Sequence, residues 1–98
     1  MLKGKSALIT GSTSGIGLGI ARALAAKGAN VMLNGFGDNA VIKNIRADIE
    51  NKYAVKACYN RADMTKPVEI EALVKETSER FGAVDILVNC AGIQHTAQ

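Results

Sequence analysis

The segment TGSTSGIG, Thr10 to Gly17, gathers the residues of this chain best suited to holding a charged ligand. Gly11, Gly15 and Gly17 punctuate it, and Ser12, Thr13 and Ser14 add hydroxyl groups. It joins an apolar run of strand length, SALIT (6–10), to a helical pattern that begins at once. A helix N-terminus offers unpaired N–H groups and a partial positive charge, which together favour phosphate. Gly11 lets the chain leave the strand sharply. Gly15 has no side chain to hold a pyrophosphate away from the backbone, and Gly17 lets the helix sit close to the sheet.

Acid–base chemistry is poorly supplied. Tyr53 is followed four residues later by Ala57, and Tyr59 by Asp63, so neither tyrosine has a lysine at that spacing. Both fall around one strand-like segment, distant from the end of the chain where His95 stands without an orienting partner. Cys58 and Cys90 are far apart and match no metal spacing, so no metal site is expected. In or beside strands, cysteine behaves as a small hydrophobe.

The elements that must position the turn follow from periodicity. Residues 6–10 read as a buried strand and 15–27 as a helix, with Ile16, Ile20 and Leu24 every four residues and small alanines for close packing. Gly28 stands where a left-handed cap belongs. NVMLN (30–34) is a second strand, and Asp38 caps a helix over 39–51 with Ile42, Ile45 and Ile49 on one face. YAVKACY (53–59) reads as a third strand. Thr65 is positioned to cap a long helix that carries Pro67 in its first turn and the stripe Ile70, Leu73, Val74, Thr77 and Phe81. Gly82 ends it, and VDILVN (84–89) is a fourth strand. Strand and helix alternate throughout, which predicts an α/β fold with a doubly wound parallel sheet.

Ninety-eight residues, 48% hydrophobic and 21% charged, suit one small globular unit. The net charge of +3 comes from interleaved acids and bases, without the basic stripe that grips nucleic acid. The apolar run near the start is too short for a signal peptide or a membrane span. A cytoplasmic protein with reduced thiols is expected.

TGSTSGIG resembles the T-G-x-x-x-G-x-G fingerprint of short-chain dehydrogenases/reductases, and DILVNCAG (85–92) resembles their N-N-A-G marker with Cys90 replacing the second Asn. ADM (62–64) falls where that family has an Asp, after the third strand, that hydrogen-bonds adenine. The resemblance covers the whole chain and implies a Rossmann-type sheet, truncated after the fourth strand, as the N-terminal dinucleotide-binding part (1–98) of a single domain. It implies an oxidoreductase with coenzyme contacts at Gly11, Thr13, Ser14, Gly15, Ile16, Gly17, Phe36, Asp63, Met64, Cys90, Ala91 and Gly92. The family's Ser and Tyr-x-x-x-Lys lie beyond the N-N-A-G marker, so no catalytic residue is expected in this chain and the chain alone should be inactive. Homo-oligomers are expected only with that later part.

LNGFGD (33–38) and AGIQH (91–95) are similar to the subgroup acting on D-3-hydroxybutyrate, in which Gln94 would contact the carboxylate of a small hydroxy or keto acid. A 3-oxoacyl or other short-chain reductase fragment is the alternative within the family, and a non-catalytic nucleotide-binding remnant the alternative outside it. At the end of the second strand, Asn34, Gly35 and Phe36 include neither the acid that favours NAD nor an arginine for a 2′-phosphate, and Ser14 gives no basic residue before Gly15; with nothing to neutralise an extra phosphate, NAD is expected rather than NADP.

Overall fold

The computed structural model describes residues 1–90. Strands β1 (Ser6–Thr10), β2 (Asn30–Asn34), β3 (Ala57–Asn60) and β4 (Ile86–Asn89) alternate with helices α1 (Gly15–Ala26), α2 (Asn39–Tyr53) and α3 (Pro67–Phe81). The strands form one sheet in the order β3-β2-β1-β4, and every pairing is parallel. Chain order reverses between β1 and β4, which makes the carboxyl end of β1 the place where such sheets bind ligands. The fold is therefore the Rossmann-like α/β arrangement that the alternation predicts.

Side chains alternate across each strand, and the two faces are covered by different helices. Ala7, Ile9, Val31, Leu33 and Ala57 meet Ala21 and Ala25 of α1 and Ile49 of α2 in one core cluster. Leu8 and Met32 point the other way, toward Leu73 of α3, with Phe81 packed alongside. Arg22 and Asp48 link α1 to α2 across 2.6 Å at the surface.

Caps explain several boundaries. Asp38 Oδ1 accepts hydrogen bonds from Ala40 N–H at 2.7 Å and Val41 N–H at 3.4 Å, starting α2 as expected. Gly28 and Gly82 follow α1 and α3 with φ of 100° and 90°. Four details differ from the sequence reading, the simplest being that β4 starts at Ile86 rather than at residue 84. The helix α2 continues to Tyr53 and ends on Ala54 in the left-handed region, φ 57°, so β3 starts at Ala57 rather than at residue 53. Thr65 does not cap α3. Its N–H and hydroxyl both bond Asp63 Oδ1, and Lys66 takes the cap position without a side-chain bond. On α1 the buried residues are Gly17, Ala21 and Ala25, while Ile16 is 63% exposed. The small side chains form the contact because they admit the closest approach of helix to sheet.

Candidate functional site: a cleft at the carboxyl ends of the strands

Three chain reversals meet above the sheet. The turn after β1 carries Gly11 to Ser14, the loop after β2 carries Gly35 and Phe36, and the segment after β3 carries Ala62 to Thr65. Between them lies a cleft of about 350 Å³, lined by Gly11, Thr13, Ser14, Asn34, Gly35, Phe36, Ala62, Asp63, Met64 and Thr65. Of the residues singled out from sequence, Gly11, Thr13, Ser14, Phe36, Asp63 and Met64 are brought together here. Gly15 and Ile16 are exposed at the start of α1, beside the turn.

Two glycines shape the turn, Gly17 by close contact and Gly15 by its left-handed backbone. A Cβ on Gly17 would lie 2.1 Å from the Gly11 carbonyl oxygen, inside any permitted contact, so the first turn of α1 is stacked directly on the strand exit. Gly15 adopts φ 60°, and a Cβ built there meets no heavy atom within 4 Å. The space above Gly15 is therefore open. The side chain of Ser14, the residue preceding α1, makes no capping bond, so the first-turn N–H groups keep their donor capacity for an anion. This is the geometry a pyrophosphate requires, and the residues present fit such a group.

The walls are held by hydrogen bonds. Thr13 Oγ1 donates to the Phe36 carbonyl at 3.0 Å, tying the glycine-rich turn to the loop after β2. The Tyr59 hydroxyl donates to the Gly35 carbonyl and fixes the same loop from β3. Burial pushes the Tyr59 phenol pKa up, partly countered by the nearby Arg61 charge, so the group stays a proton donor. Phe36 itself is 63% exposed and stands at the cleft edge. On the opposite wall Asp63 Oδ1 accepts from Thr65 N–H at 2.9 Å and from Thr65 Oγ1 at 2.7 Å, which lowers the carboxyl pKa below the ordinary range. Asp63 N–H donates to Glu69 Oε1 at 2.8 Å, fixing the segment to α3.

Cys90 does not line this cleft. It is 1% exposed, packed in the larger core cluster, and its N–H donates to Thr10 Oγ1 at 3.0 Å. Thr10 Oγ1 in turn donates to Asn89 Oδ1 at 2.8 Å, so the ends of β1 and β4 are laced together. Ala91, Gly92 and Gln94 lie outside the described residues. The sequence reading counts Ser12 among the hydroxyls of the turn, takes Asn34 and Gly35 only for their lack of charge and weighs Tyr59 only as an acid–base group, and it assigns none of the four a contact in the site. The signal available for Asn34 and Ser12 was a polar residue ending or following an apolar strand, which is also what an exposed turn looks like.

A parallel sheet with a glycine-rich turn, an uncapped helix start and a cleft beside both defines a dinucleotide-binding class of protein. Comparison with known proteins agrees: the family model described as short chain dehydrogenase matches residues 5–98. The chain belongs to the short-chain dehydrogenase family, whose members are oxidoreductases that use nicotinamide cofactors. It is 55% identical over 98 residues to a D-beta-hydroxybutyrate dehydrogenase of Cupriavidus necator, covering 99% of this chain and 37% of that protein. Among solved structures, a dehydrogenase/reductase of Sinorhizobium meliloti superposes with TM-score 0.83 at 39% identity, over 90% of this chain and 34% of the other. The L-sorbose reductase of Gluconobacter frateurii, complexed with NADPH and L-sorbose, gives TM-score 0.79 at 34% identity over 88% and 32% of the two chains. The chain thus spans about a third of the length of these relatives. Among the described residues no helix is long and apolar enough to cross a membrane.

Proposed function

We propose that residues 1–98 form the coenzyme-binding part of a single-domain NAD-dependent dehydrogenase that converts D-3-hydroxybutyrate to acetoacetate. The observation that carries this reading is the open space above Gly15, at the start of an α1 without a side-chain cap, in a chain of this family. In the proposed arrangement the Gly11–Gly17 turn and the first N–H groups of α1 hold the pyrophosphate. Phe36 lies beside the adenosine ribose, and Asp63 and Met64 border the adenine. By the family resemblance Cys90, Ala91 and Gly92 are assigned to the nicotinamide and Gln94 to the substrate carboxylate. The coenzyme supplies the hydride acceptor.

NAD is favoured over NADP because Gly35 and Phe36 put no cation at the ribose and Ser14 puts none before Gly15. The chain holds no Tyr-x-x-x-Lys pair, so the proton-accepting group of the reaction is assigned to residues outside this sequence. Oligomers belong to the same assignment. A cytoplasmic location is supported by the free thiols of Cys58 and Cys90.

Calorimetric titration of the 98-residue chain with NAD+ and NADP+ tests the proposal. NAD+ should bind more tightly, without turnover of 3-hydroxybutyrate, and Gly15→Leu should abolish binding. A Gly15→Leu chain that binds NAD+ as well as the wild type sinks the cradle. Phe36→Arg should shift preference toward NADP+, and an unchanged ratio removes Phe36 from the ribose site.

A further inference from the structure

Asn34 closes β2, and it is 1% exposed beneath the glycine-rich turn. Its Oδ1 accepts from Gly11 N–H at 3.2 Å. Its Nδ2 donates to the Asn60 carbonyl at 3.1 Å and to the Ala62 carbonyl at 3.0 Å. Its backbone N–H donates to Ser12 Oγ at 2.9 Å, and its carbonyl accepts from Ser12 N–H at 2.6 Å. The Ser12 hydroxyl completes the set by donating to the Ile9 carbonyl at 2.7 Å. A single buried carboxamide therefore joins the turn after β1, the end of β2 and the segment after β3.

We infer that Asn34 is the positioning residue of the cleft, setting the glycine-rich turn against the Asn60–Ala62 wall, and that it takes no part in reading the ribose. The second half follows from the first. At the end of the second strand such folds often carry an acid that bonds the ribose, but here both amide hydrogens and the amide oxygen are already committed beneath the turn. Reading the ribose falls instead to the Gly35–Phe36 loop, which stands at the cleft edge. Only a carboxamide suits these partners, since it accepts with one atom and donates two hydrogens with the other. A carboxylate in its place would set an oxygen against two carbonyl oxygens in a buried site, at a cost no exposed ribose contact would recover. The ribose half of the inference rests on the coenzyme reading of the cleft, whereas the positioning half does not.

Amide hydrogen exchange by NMR on the 98-residue chain tests positioning without coenzyme, comparing wild type, Asn34→Asp and Asn60→Ala. Asn34→Asp should speed exchange of the Gly11 amide by about tenfold or more relative to the Leu8 and Met32 amides in mid-strand. Asn60→Ala leaves Asn34 in place but removes the bonds of the Asn60 side chain to Ala62 N–H and Glu76, so it should loosen the same turn more weakly. Should Asn34→Asp fail to fold, Asn60→Ala decides alone. An even loss of protection over sheet and turn, or no change at the turn, overturns the positioning role.

Coenzyme titration then addresses the ribose. Asn34→Asp should weaken NAD+ and NADP+ about equally, by about tenfold. A shift of preference toward NAD+ overturns the inference by making position 34 a ribose reader. If the wild-type chain binds neither coenzyme, the coenzyme reading fails, and the exchange data still decide whether Asn34 positions the turn.

Discussion

On one face of the sheet, α1 and α2 close over Ala7, Ile9, Val31, Leu33 and Ala57, all 0% exposed. On the other, α3 covers Leu8 and Met32, but Leu87 of β4 remains 64% exposed and an open groove runs past Lys56, Cys58, Glu76 and Arg80. The difference lies in the side chains. Gly17, Ala21 and Ala25 bring α1 close to the sheet, whereas α3 contributes only Leu73 and Thr77 as fully buried residues. The closed face carries α1, whose first turn is stacked directly on the glycine-rich exit of β1. The α3 face supports the Ala62–Thr65 side of the cleft through Ala62 and Met64, which pack with Leu8, Met32 and Leu73.

The sharpest way to break this comparison is Gly17→Val. With its Cβ 2.1 Å from the Gly11 carbonyl oxygen, the variant should lose about 4 kcal/mol of unfolding free energy or fail to fold. Urea denaturation followed by circular dichroism measures it, and a loss under about 1 kcal/mol would mean that helix and turn are less tightly stacked than the geometry requires. Next, one truncation on each face compares them directly. Ile49→Ala, at a 0% exposed site of the closed face, should cost about 3 kcal/mol, and Leu73→Ala on the α3 face about 2 kcal/mol, because the open side collapses more easily around a cavity. Equal costs would remove the distinction.

Tyr59 belongs to the closed face and ties the Gly35 loop. Tyr59→Phe should cost about 1 kcal/mol at neutral pH, as expected for one hydrogen bond. Its phenol pKa is raised above the ordinary value of 10.0, chiefly by burial. The neutral form is the one the fold prefers, so its contribution is complete below pH 10.0 and is lost as pH rises through the raised value. The difference between wild type and Tyr59→Phe should therefore shrink above that pH in paired denaturation curves. A difference that grows with pH contradicts the bond. The smallest effect is expected at Leu87. Leu87→Thr should change stability by no more than about 0.5 kcal/mol, since little is buried there, and a larger loss would show the α3 face to be better packed than its exposure indicates.

Much of this organisation was legible from residue order. Strands β1 and β2 occupy the spans their apolar runs predict, and Asp38, Gly28 and Gly82 act as the helix punctuation their types imply. These features depend on local chemistry: turn preferences, caps and a period of two or 3.6 residues. Where a non-local contact competes, the reading slips. Tyr53 carries a strand-former's side chain yet ends a helix, because Tyr53 and Val55 pack onto the core from the α2 end. Ile16 carries the strongest apolar side chain of the first helical turn, yet the sheet accepts Gly17 and Ala21 instead.

The glycine-rich fingerprint and the alternation of strand and helix are properties of the sequence alone, and they point to a coenzyme-binding fold of the short-chain dehydrogenase family. Only the tertiary structure decided that Asn34 and Ser12 lock the turn from beneath, that Thr13 and Tyr59 hold the Phe36 loop, and that the Cys90 side chain belongs to the core. The reason is distance along the chain. The Asn34 amide bonds residues 23 and 26 positions away, and no periodicity or turn preference encodes partners brought together only when three strands lie side by side.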